Sequence, residues 1–419
     1  MNKKYLLIKN VNLVDVEKER IINNVDILVK EGKIADINKN IIDKNAKEIN
    51  LKNMYIMPGL INLHAHLFGT GMPSKNLTGG ASQARTLKLI KTKVGDKILN
   101  KLVKKSLLTE LYSGTTTVRS VGDFYYSDCK QRDLINSGKY VGPTAPGGHG
   151  DGTFARSGAT KEELEKLIDN NIAHKVDWIK ICTTGGVMDA KEVGGCGALK
   201  MSPEQTAWCI SYAHKKGYRV ASHTEGSEGM IVGIANDLDT IEHGAIIKDD
   251  EFKAKYLPKD KKITSTLITT ISPAIPFAKF NKELTKCDDI QKSNADIVAN
   301  GIIETSKLAL KEGIRVGLGT DASCPFAFQY GMWRELAYFK KYVGVTASFA
   351  VKTATLINAQ ILGKEKEIGS LDKGKYFDAV VTSKDPYSDL KTLENPYCVF
   401  KKGILIKKKP KKFKKYDEL

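Results

Sequence analysis

The middle of the chain alternates between short apolar segments and helical segments, and this alternation limits the fold more than any other feature. The apolar runs TTTVRSVG, VDWIKICTTGG and YRVASHTEG each precede a helical stretch, and Ser202 and Pro203 can cap and begin one of these helices. Repeated βα units over roughly 300 residues are typical of proteins built on parallel strands. No GxGxxG loop is present, which disfavours a nucleotide-binding sheet. We therefore predict an α/β fold of the (β/α)8 TIM-barrel type.

The two ends of the chain are rich in β-prone residues and differ from the middle. YLLIKNVNLVD and VDILVKEGKIADI lie near the N-terminus, with a turn signal at Glu31-Gly32, and CVFKKGILIK lies near the C-terminus. These flanking segments predict one small β-sandwich domain built from both termini. The predicted division is residues 1–57 plus 364–406 for this domain, 58–363 for the barrel and 407–419 for a basic tail.

Composition narrows the class of protein. The net charge is +18, but most of the positive residues are lysines that are spread along the chain. No helix-turn-helix, RNP or zinc-finger pattern accompanies them, so a specific nucleic-acid partner is disfavoured. Seven cysteines without a CxxC pair predict a reduced protein of the cytoplasm. The sequence contains no run of about eighteen apolar residues, so no membrane-spanning helix is predicted.

Residues that can bind a metal or titrate stand at the ends of five different apolar segments. They are His64 and His66 in INLHAHLFGTG, Lys180 in VDWIKIC, His223 after RVAS, His243 after LDTIE and Asp321 after VGLGT. The carboxyl ends of barrel strands converge on one site. The two histidines of the first segment also share one face of their strand, because side chains i and i+2 point to the same side.

Each of these residues alone has an ordinary structural explanation. A single histidine in a strand is commonly a hydrogen-bonded core residue, a lysine can extend its ammonium to solvent, and an aspartate after Gly-Thr can cap a helix. The joint pattern is harder to explain in this way, since four of the seven histidines stand at strand ends and a buried unpaired cationic group is costly. The set therefore predicts a metal site.

The order of these motifs resembles the amidohydrolase superfamily over nearly the whole chain. PGLINLHAH, TTTVR, GGHGD, IKICTTGGVM, SHTEG, IEHG and GLGTDAS all occur in the order expected of that family. The sequence is most similar to the branch that contains prolidase-like dipeptidases, a zinc-dependent arginine carboxypeptidase and imidazolonepropionase-related enzymes. The resemblance implies a (β/α)8 barrel with a split β domain, and a hydrolase that uses divalent metal ions.

The resemblance also implies a role for each strand-end residue. His64, His66 and Asp321 would bind one metal ion, His223 and His243 would bind a second, and Lys180 would bridge both ions after carboxylation of its amine. Zinc is the default ion for a histidine-rich site, and manganese or cobalt could also fit. Attack would come from a hydroxide shared by the two ions, with Asp321 as general base and then general acid.

Three further residues are candidates for substrate binding. His149, in the glycine-rich loop GGHGD, could contact a tetrahedral oxygen or a substrate carboxylate, and a solvated loop histidine is the alternative. Arg119, at the end of TTTVR, could hold a carboxylate by a bidentate pair, and a structural ion pair is the alternative. Glu225 stands where relatives often carry Tyr or His, and it could pair with a cationic group or brace the site.

The leading hypothesis is a binuclear metallohydrolase that cleaves an amide or peptide bond of a small amino-acid-derived substrate, as a dipeptidase or carboxypeptidase. The alternative enzyme is a cyclic-amide hydrolase acting on an imidazolone or hydantoin-like ring. Imidazolonepropionase generally lacks the carboxylated lysine, so Lys180 argues against it. A basic nucleic-acid-binding protein explains the charge but none of the strand-end ligands. The expected partner is a small molecule or dipeptide, and a homo-oligomer is compatible with the sequence.

Overall fold

Parallel strands followed by helices form the centre of the molecule. The structure is a computed structural model that describes residues 5–73, 88–145, 159–248 and 250–409. Its strands are β1 (Tyr5–Asp15), β2 (Arg20–Lys30), β3 (Lys33–Asn38), β4 (Lys47–Asn50), β5 (Tyr55–Pro58), β6 (Leu60–Ala65), β7 (Thr115–Ser120), β8 (Trp178–Cys182), β9 (Arg219–Thr224), β10 (Thr240–His243), β11 (Thr266–Thr269), β12 (Val316–Leu318), β13 (Ala379–Thr382), β14 (Cys398–Lys401) and β15 (Ile404–Ile406).

Helices connect most of the central strands. The α-helices span Lys93–Tyr112, Ser127–Asn136, Lys161–Ala173, Pro203–Lys215, Ser227–Ala235, Asp250–Tyr256, Ile271–Lys279, Lys282–Thr285, Asp289–Lys311, Met332–Tyr338, Ala347–Lys352 and Asn358–Leu362. Short 3-10 turns lie at Phe124–Tyr126, Val187–Asp189, Gly195–Gly197 and Leu390–Glu394, and π turns lie at Phe339–Val343 and Thr353–Ile357. In the part of the chain described, no helix is both long and apolar enough to cross a membrane.

The central strands pair in parallel and mostly in sequence order. One sheet has the order β12-β11-β10-β9-β8, and β6 pairs in parallel with β7. A backbone hydrogen bond connects the five-stranded sheet to β6: the N–H of Asp321, just after β12, donates to the carbonyl oxygen of His64 at 2.8 Å. On the other side of β7, Val118 N–H donates to the carbonyl of Thr144. The predicted α/β fold with parallel strands is thus confirmed, and the strand ends at the site lie side by side.

Strands from both ends of the chain share a separate sheet. Its order is β15-β14-β13-β5-β1-β2-β3, with β4 beside β1. Glu31 and Gly32 make the tight turn between β2 and β3 with φ values of 52° and 77°, which are the left-handed values that such hairpins need. The side chains of Phe377 and Phe400 are fully buried in the core of this sheet.

A buried lysine ties the terminal sheet to the central strands. Lys401 in β14 is 3% exposed, and its ammonium donates to Asp378 at 2.6 Å. The same ammonium donates to the carbonyl of Thr116 in β7 and to the hydroxyl of Thr144. One side chain therefore satisfies acceptors from both parts of the molecule, which fixes the sheet against the strands that lead to the site.

The helix that follows β8 begins as the sequence predicts. Ser202 Oγ accepts a hydrogen bond from the N–H of Gln205, and the Gln205 side chain accepts one from the N–H of Ser202. Pro203 occupies the first helical position, where it has no N–H to leave unsatisfied. This reciprocal cap satisfies two groups at the helix start, and it confirms the predicted beginning of the helix.

Candidate functional site

Two clusters of metal-capable side chains meet at the carboxyl ends of the parallel strands. His64, His66 and Asp321 form the first cluster, and His223, Glu225 and His243 form the second; within each cluster the ligand atoms lie within 4.8 Å of one another. The clusters adjoin, since the His64 and His243 rings are 4.8 Å apart between centroids. Five of the six predicted metal ligands are thus brought together in two adjacent groups.

Local backbone geometry places these side chains. His243 and Asp321 adopt left-handed φ values of 75° and 51°, which are uncommon for residues other than glycine and often occur at functional sites. Gly319 allows the chain after β12 to approach β6, because a Cβ at this position would lie 2.3 Å from the Cβ of His64. The approach brings Asp321 against the two histidines of β6.

The first cluster contains two acceptor atoms that face each other. His66 Nδ1 lies 2.7 Å from the carbonyl oxygen of Gly122, which can only accept, so Nδ1 donates and Nε2 carries a lone pair. That Nε2 lies 3.4 Å from Asp321 Oδ1, a buried oxygen that accepts no hydrogen bond from the described residues. Two electron-rich atoms at this distance repel each other unless a cation lies between them. The donor set of the cluster therefore fits a metal ion.

Burial favours the neutral form of three of these imidazoles, which is the form that binds a metal. It lowers the pKa of His66 and of His223 to about 4, and it holds the pKa of His243 well below the usual value. The ring of His243 is held by a hydrogen bond between Nδ1 and Thr270 Oγ1 at 2.7 Å. Neutral, oriented imidazoles are the form in which histidine binds divalent cations.

Lys180 lies on β8 beside the two clusters and is only 3% exposed. Burial lowers the pKa of its amine, although the charge of Glu242 opposes this. Its Nζ makes no hydrogen bond or ion pair with the residues that the structure describes. A buried lysine that no carboxylate contacts directly is costly as an ammonium, so burial favours the neutral amine.

Glu242 is a site residue that the sequence analysis missed. It is fully buried, and it accepts hydrogen bonds from Arg119 Nη2 at 2.7 and 2.9 Å. Its other partners are His64 Nδ1, at 2.7 Å, and the hydroxyl of Thr240, which donates to it at 2.5 Å. Burial would raise the pKa of Glu242, but Arg119, His64 and Lys180 together outweigh this and hold the pKa well below the usual value. The ionised carboxylate thus fixes Nδ1 of His64 as a donor and turns Nε2 toward Asp321.

The predicted role of Arg119 in substrate binding is wrong, and the ion-pair alternative is correct. The side chain is fully buried, with Nε donating to the carbonyl of Leu63 and Nη1 donating to Thr240 Oγ1. Its guanidinium also lies over the ring of Trp178 at 4.8 Å from the ring centroid. With its donors used and no exposed surface, Arg119 cannot reach a substrate.

A cavity of about 390 Å³ adjoins the two clusters. His223, His243 and Asp321 contribute to its wall, together with Glu225 and Cys182. The Glu225 carboxylate lies 3.9 Å from His223 Nε2, so this residue belongs to the second cluster as well as to the cavity. His149 lies outside the described residues. The volume is at the lower end of the range for small-molecule sites.

The parallel strands end in clusters of imidazole and carboxylate. Together with the known proteins of the same fold, this arrangement defines a metal-dependent hydrolase that acts on C–N bonds. The chain belongs to the amidohydrolase family, whose model matches residues 55–406. This match confirms the family resemblance that the sequence motifs indicate.

Relatives of known structure and sequence cover almost the whole chain. A structure described as a candidate prolidase from Bifidobacterium longum is 30% identical, with a TM-score of 0.82, and 99% of this chain and 97% of that chain are covered. A Xaa-Pro dipeptidase with bound methionine in the active site is 26% identical, with a TM-score of 0.79 and coverage of 96% and 100%. The imidazolonepropionase of Clostridium tetani is 21% identical over 439 residues, with coverage of 96% and 94%.

Proposed function

We propose that the protein is a binuclear metal-dependent amidohydrolase that cleaves the amide bond of a dipeptide or another N-acyl amino acid. The observation that carries the proposal is the pair of adjacent histidine and carboxylate clusters facing one cavity of dipeptide size. The dipeptidase and the candidate prolidase of similar structure support this class of substrate.

The residues that would hold the two ions are those of the clusters. His64, His66 and Asp321 would bind one ion, and His223 and His243 would bind the other. Lys180 would bridge both as a carbamate, since a neutral amine is the form that reacts with carbon dioxide and burial favours that form. Zinc suits imidazole ligands best. The chemistry that such ions supply is Lewis acidity, which polarises a carbonyl and lowers the pKa of water.

Asp321 would move the proton in this reaction. It lines the cavity, and one of its oxygens accepts no hydrogen bond from the described part of the chain. A carboxylate in this position can accept a proton from the attacking water and deliver it to the leaving amine. Glu242 would act through His64, which it orients, and so would be a positioning residue.

The cyclic-amide hydrolase remains the second candidate. The imidazolonepropionase of Clostridium tetani favours it, because the similarity covers 96% of this chain. The buried Lys180 argues for the amidase, since we expect this residue to bridge the two ions and imidazolonepropionase generally lacks such a lysine. Hydrolysis of a hydantoin or imidazolone ring in preference to every dipeptide tested would select this alternative.

The remaining architectural predictions form part of the proposal. We infer that the parallel strands close into a (β/α)8 barrel of residues 58–363, because β6 contacts the chain after β12 on one side and β7 on the other. The terminal sheet would form a small β-sandwich domain of residues 1–57 and 364–406. The segment 407–419 would be a basic tail. The cytoplasmic location and the homo-oligomer stay predictions from the sequence.

Metal content and amine release together test the proposed function. We expect about two divalent ions per chain by inductively coupled plasma mass spectrometry, and release of amine from dipeptides or N-acyl amino acids by the metal-loaded protein. His223→Ala should lower the ion content toward one per chain, since it removes one of the two imidazoles of the second cluster. His174→Ala is the control, because this exposed histidine lies outside both clusters. A wild-type protein that binds no metal would refute the proposal.

Glu242→Gln should weaken metal binding, and it should also destabilise the protein because the buried Arg119 guanidinium loses its counter-ion. Glutamine keeps the shape and an acceptor oxygen but loses the charge that fixes the tautomer of His64. Loss of such an orienting partner typically reduces metal affinity by about 10- to 100-fold. Competition with a fluorescent chelator measures the change directly. Affinity equal to the wild type would show that Glu242 serves only the ion pair with Arg119.

A further inference from the structure

The cavity beside the two clusters is apolar on the side away from the strands. Helix Ile271–Lys279 contributes Phe277 to this wall, and helix Asp289–Lys311 contributes Val298 and Ile302. The remaining lining includes few charged groups. A wall of this kind gains free energy by burying an apolar side chain, at roughly 25 cal/mol per Å² removed from water.

Lys200 is the lysine of this wall. It lines the cavity and is half-buried, and its backbone N–H donates to the carbonyl of Thr183 at 2.8 Å. The neighbouring bridge between Thr184 and Leu199 anchors the same segment to the end of β8. The backbone therefore presents this side chain to the cavity from a fixed position.

The Lys200 ammonium has no counter-ion among the residues that the structure describes. Two carboxylates also line the cavity, and both lie next to imidazoles. Asp321 lies against His64 and His66, and Glu225 lies 3.9 Å from His223. A cation at the edge of an apolar wall, in ion-pair contact with no carboxylate of the described residues, is suited to an anionic group of a ligand.

We infer that Lys200 binds the free carboxylate of the substrate while the wall formed by Phe277, Val298 and Ile302 receives an apolar side chain. The substrate class is then an N-acyl or N-peptidyl amino acid with a free carboxylate and a hydrophobic side chain such as that of Leu, Met or Phe. This inference rests on the proposed function and specifies its substrate.

Paired substrates and variants test the contact with the carboxylate. The substrates are Ala-Leu and its C-terminal amide, and the variants are Lys200→Met, Lys200→Arg and the control Lys191→Met, an exposed lysine nearby. Lys200→Met should lower kcat/KM for the acid by about 10- to 100-fold, mainly through KM, with little change for the amide. Lys200→Arg should restore much of the loss, and Lys191→Met should match the wild type. An equal loss for acid and amide would overturn the role of Lys200.

The apolar wall is tested separately. Phe277→Ala should reduce the preference for Ala-Leu or Ala-Phe over Ala-Gly, because it removes apolar surface from one side of the cavity only. An unchanged preference in both Phe277→Ala and Ile302→Ala would overturn this part of the inference.

Binding measurements distinguish failure of this inference from failure of the proposed function. The probes are the reduced-amide analogue of Ala-Leu and its C-terminal amide, titrated into the metal-loaded protein by calorimetry. If the wild type prefers the acid and Lys200→Met does not, the inference stands even when no dipeptide is hydrolysed. If dipeptides are hydrolysed but Lys200→Met still prefers the acid analogue to the same degree, the function stands and the inference fails.

Discussion

Asp321→Asn should lose nearly all turnover while retaining much of its metal. Asparagine keeps one oxygen that can bind a cation, but the amide cannot take up the proton from water. It also tolerates the left-handed backbone found here, with φ of 51°, so the local structure should persist. A residue that acts as general base and acid contributes about 10²- to 10⁴-fold, and a loss of kcat in this range is expected.

The measurement pairs steady-state amine release with metal content on the same preparation. Asp260→Asn serves as the control, because Asp260 is exposed and belongs to neither cluster. Turnover within twofold of the wild type in Asp321→Asn would remove this residue from proton transfer. Loss of both activity and metal would assign it to binding alone.

Arg119→Met should destabilise the fold strongly, by about 3–5 kcal/mol. The guanidinium and the Glu242 carboxylate are both fully buried, so removal of one charge leaves the other unpaired in the interior. The carbonyl of Leu63 and the hydroxyl of Thr240 also lose a donor. The effect on substrate affinity should be secondary, because the side chain does not reach the cavity.

Urea unfolding followed by circular dichroism gives the free energy of unfolding for this comparison. Arg20→Met is the matched control, since Arg20 pairs with Asp15 at the surface and is 56% exposed, and it should change stability by less than about 1 kcal/mol. Arg119→Met combined with Glu242→Gln should recover part of the loss, because the orphaned charge is removed. Equal stability of Arg119→Met and wild type would refute the role of the buried ion pair.

The metal-capable residues could be predicted from the sequence because strand periodicity relates residues that are close together along the chain. Alternation places His64 and His66 on one face of their strand, and the structure brings both side chains into the first cluster. The parallel strands were predictable for the same reason, since each βα unit carries its own signal of apolar run, cap and helix.

The contacts of Glu242 were not predictable in this way. Its partners Arg119 and His64 lie 123 and 178 residues away along the chain, and no periodic pattern relates residues so far apart. Arg119 was misassigned because a charged residue at a strand end has the same sequence pattern whether it faces the cavity or the interior. The fixed position of Lys200 depends on pairing with the end of β8, which the glycine-rich sequence around it does not signal.

The sheet that combines both chain ends can be completed only after the C-terminal strands have been synthesised. β5 pairs with β13 in antiparallel fashion, and roughly 320 residues separate the two strands. At about 5–20 residues per second, a ribosome needs about 15 to 65 s to deliver β13 after β5 has emerged. Throughout that interval the buried edge formed by Ile56 and Met57 lacks its partner strand. The nascent chain therefore exposes an unpaired strand edge while its central strands are still being synthesised. Chaperones that bind such edges should associate with it until the last strands have been synthesised.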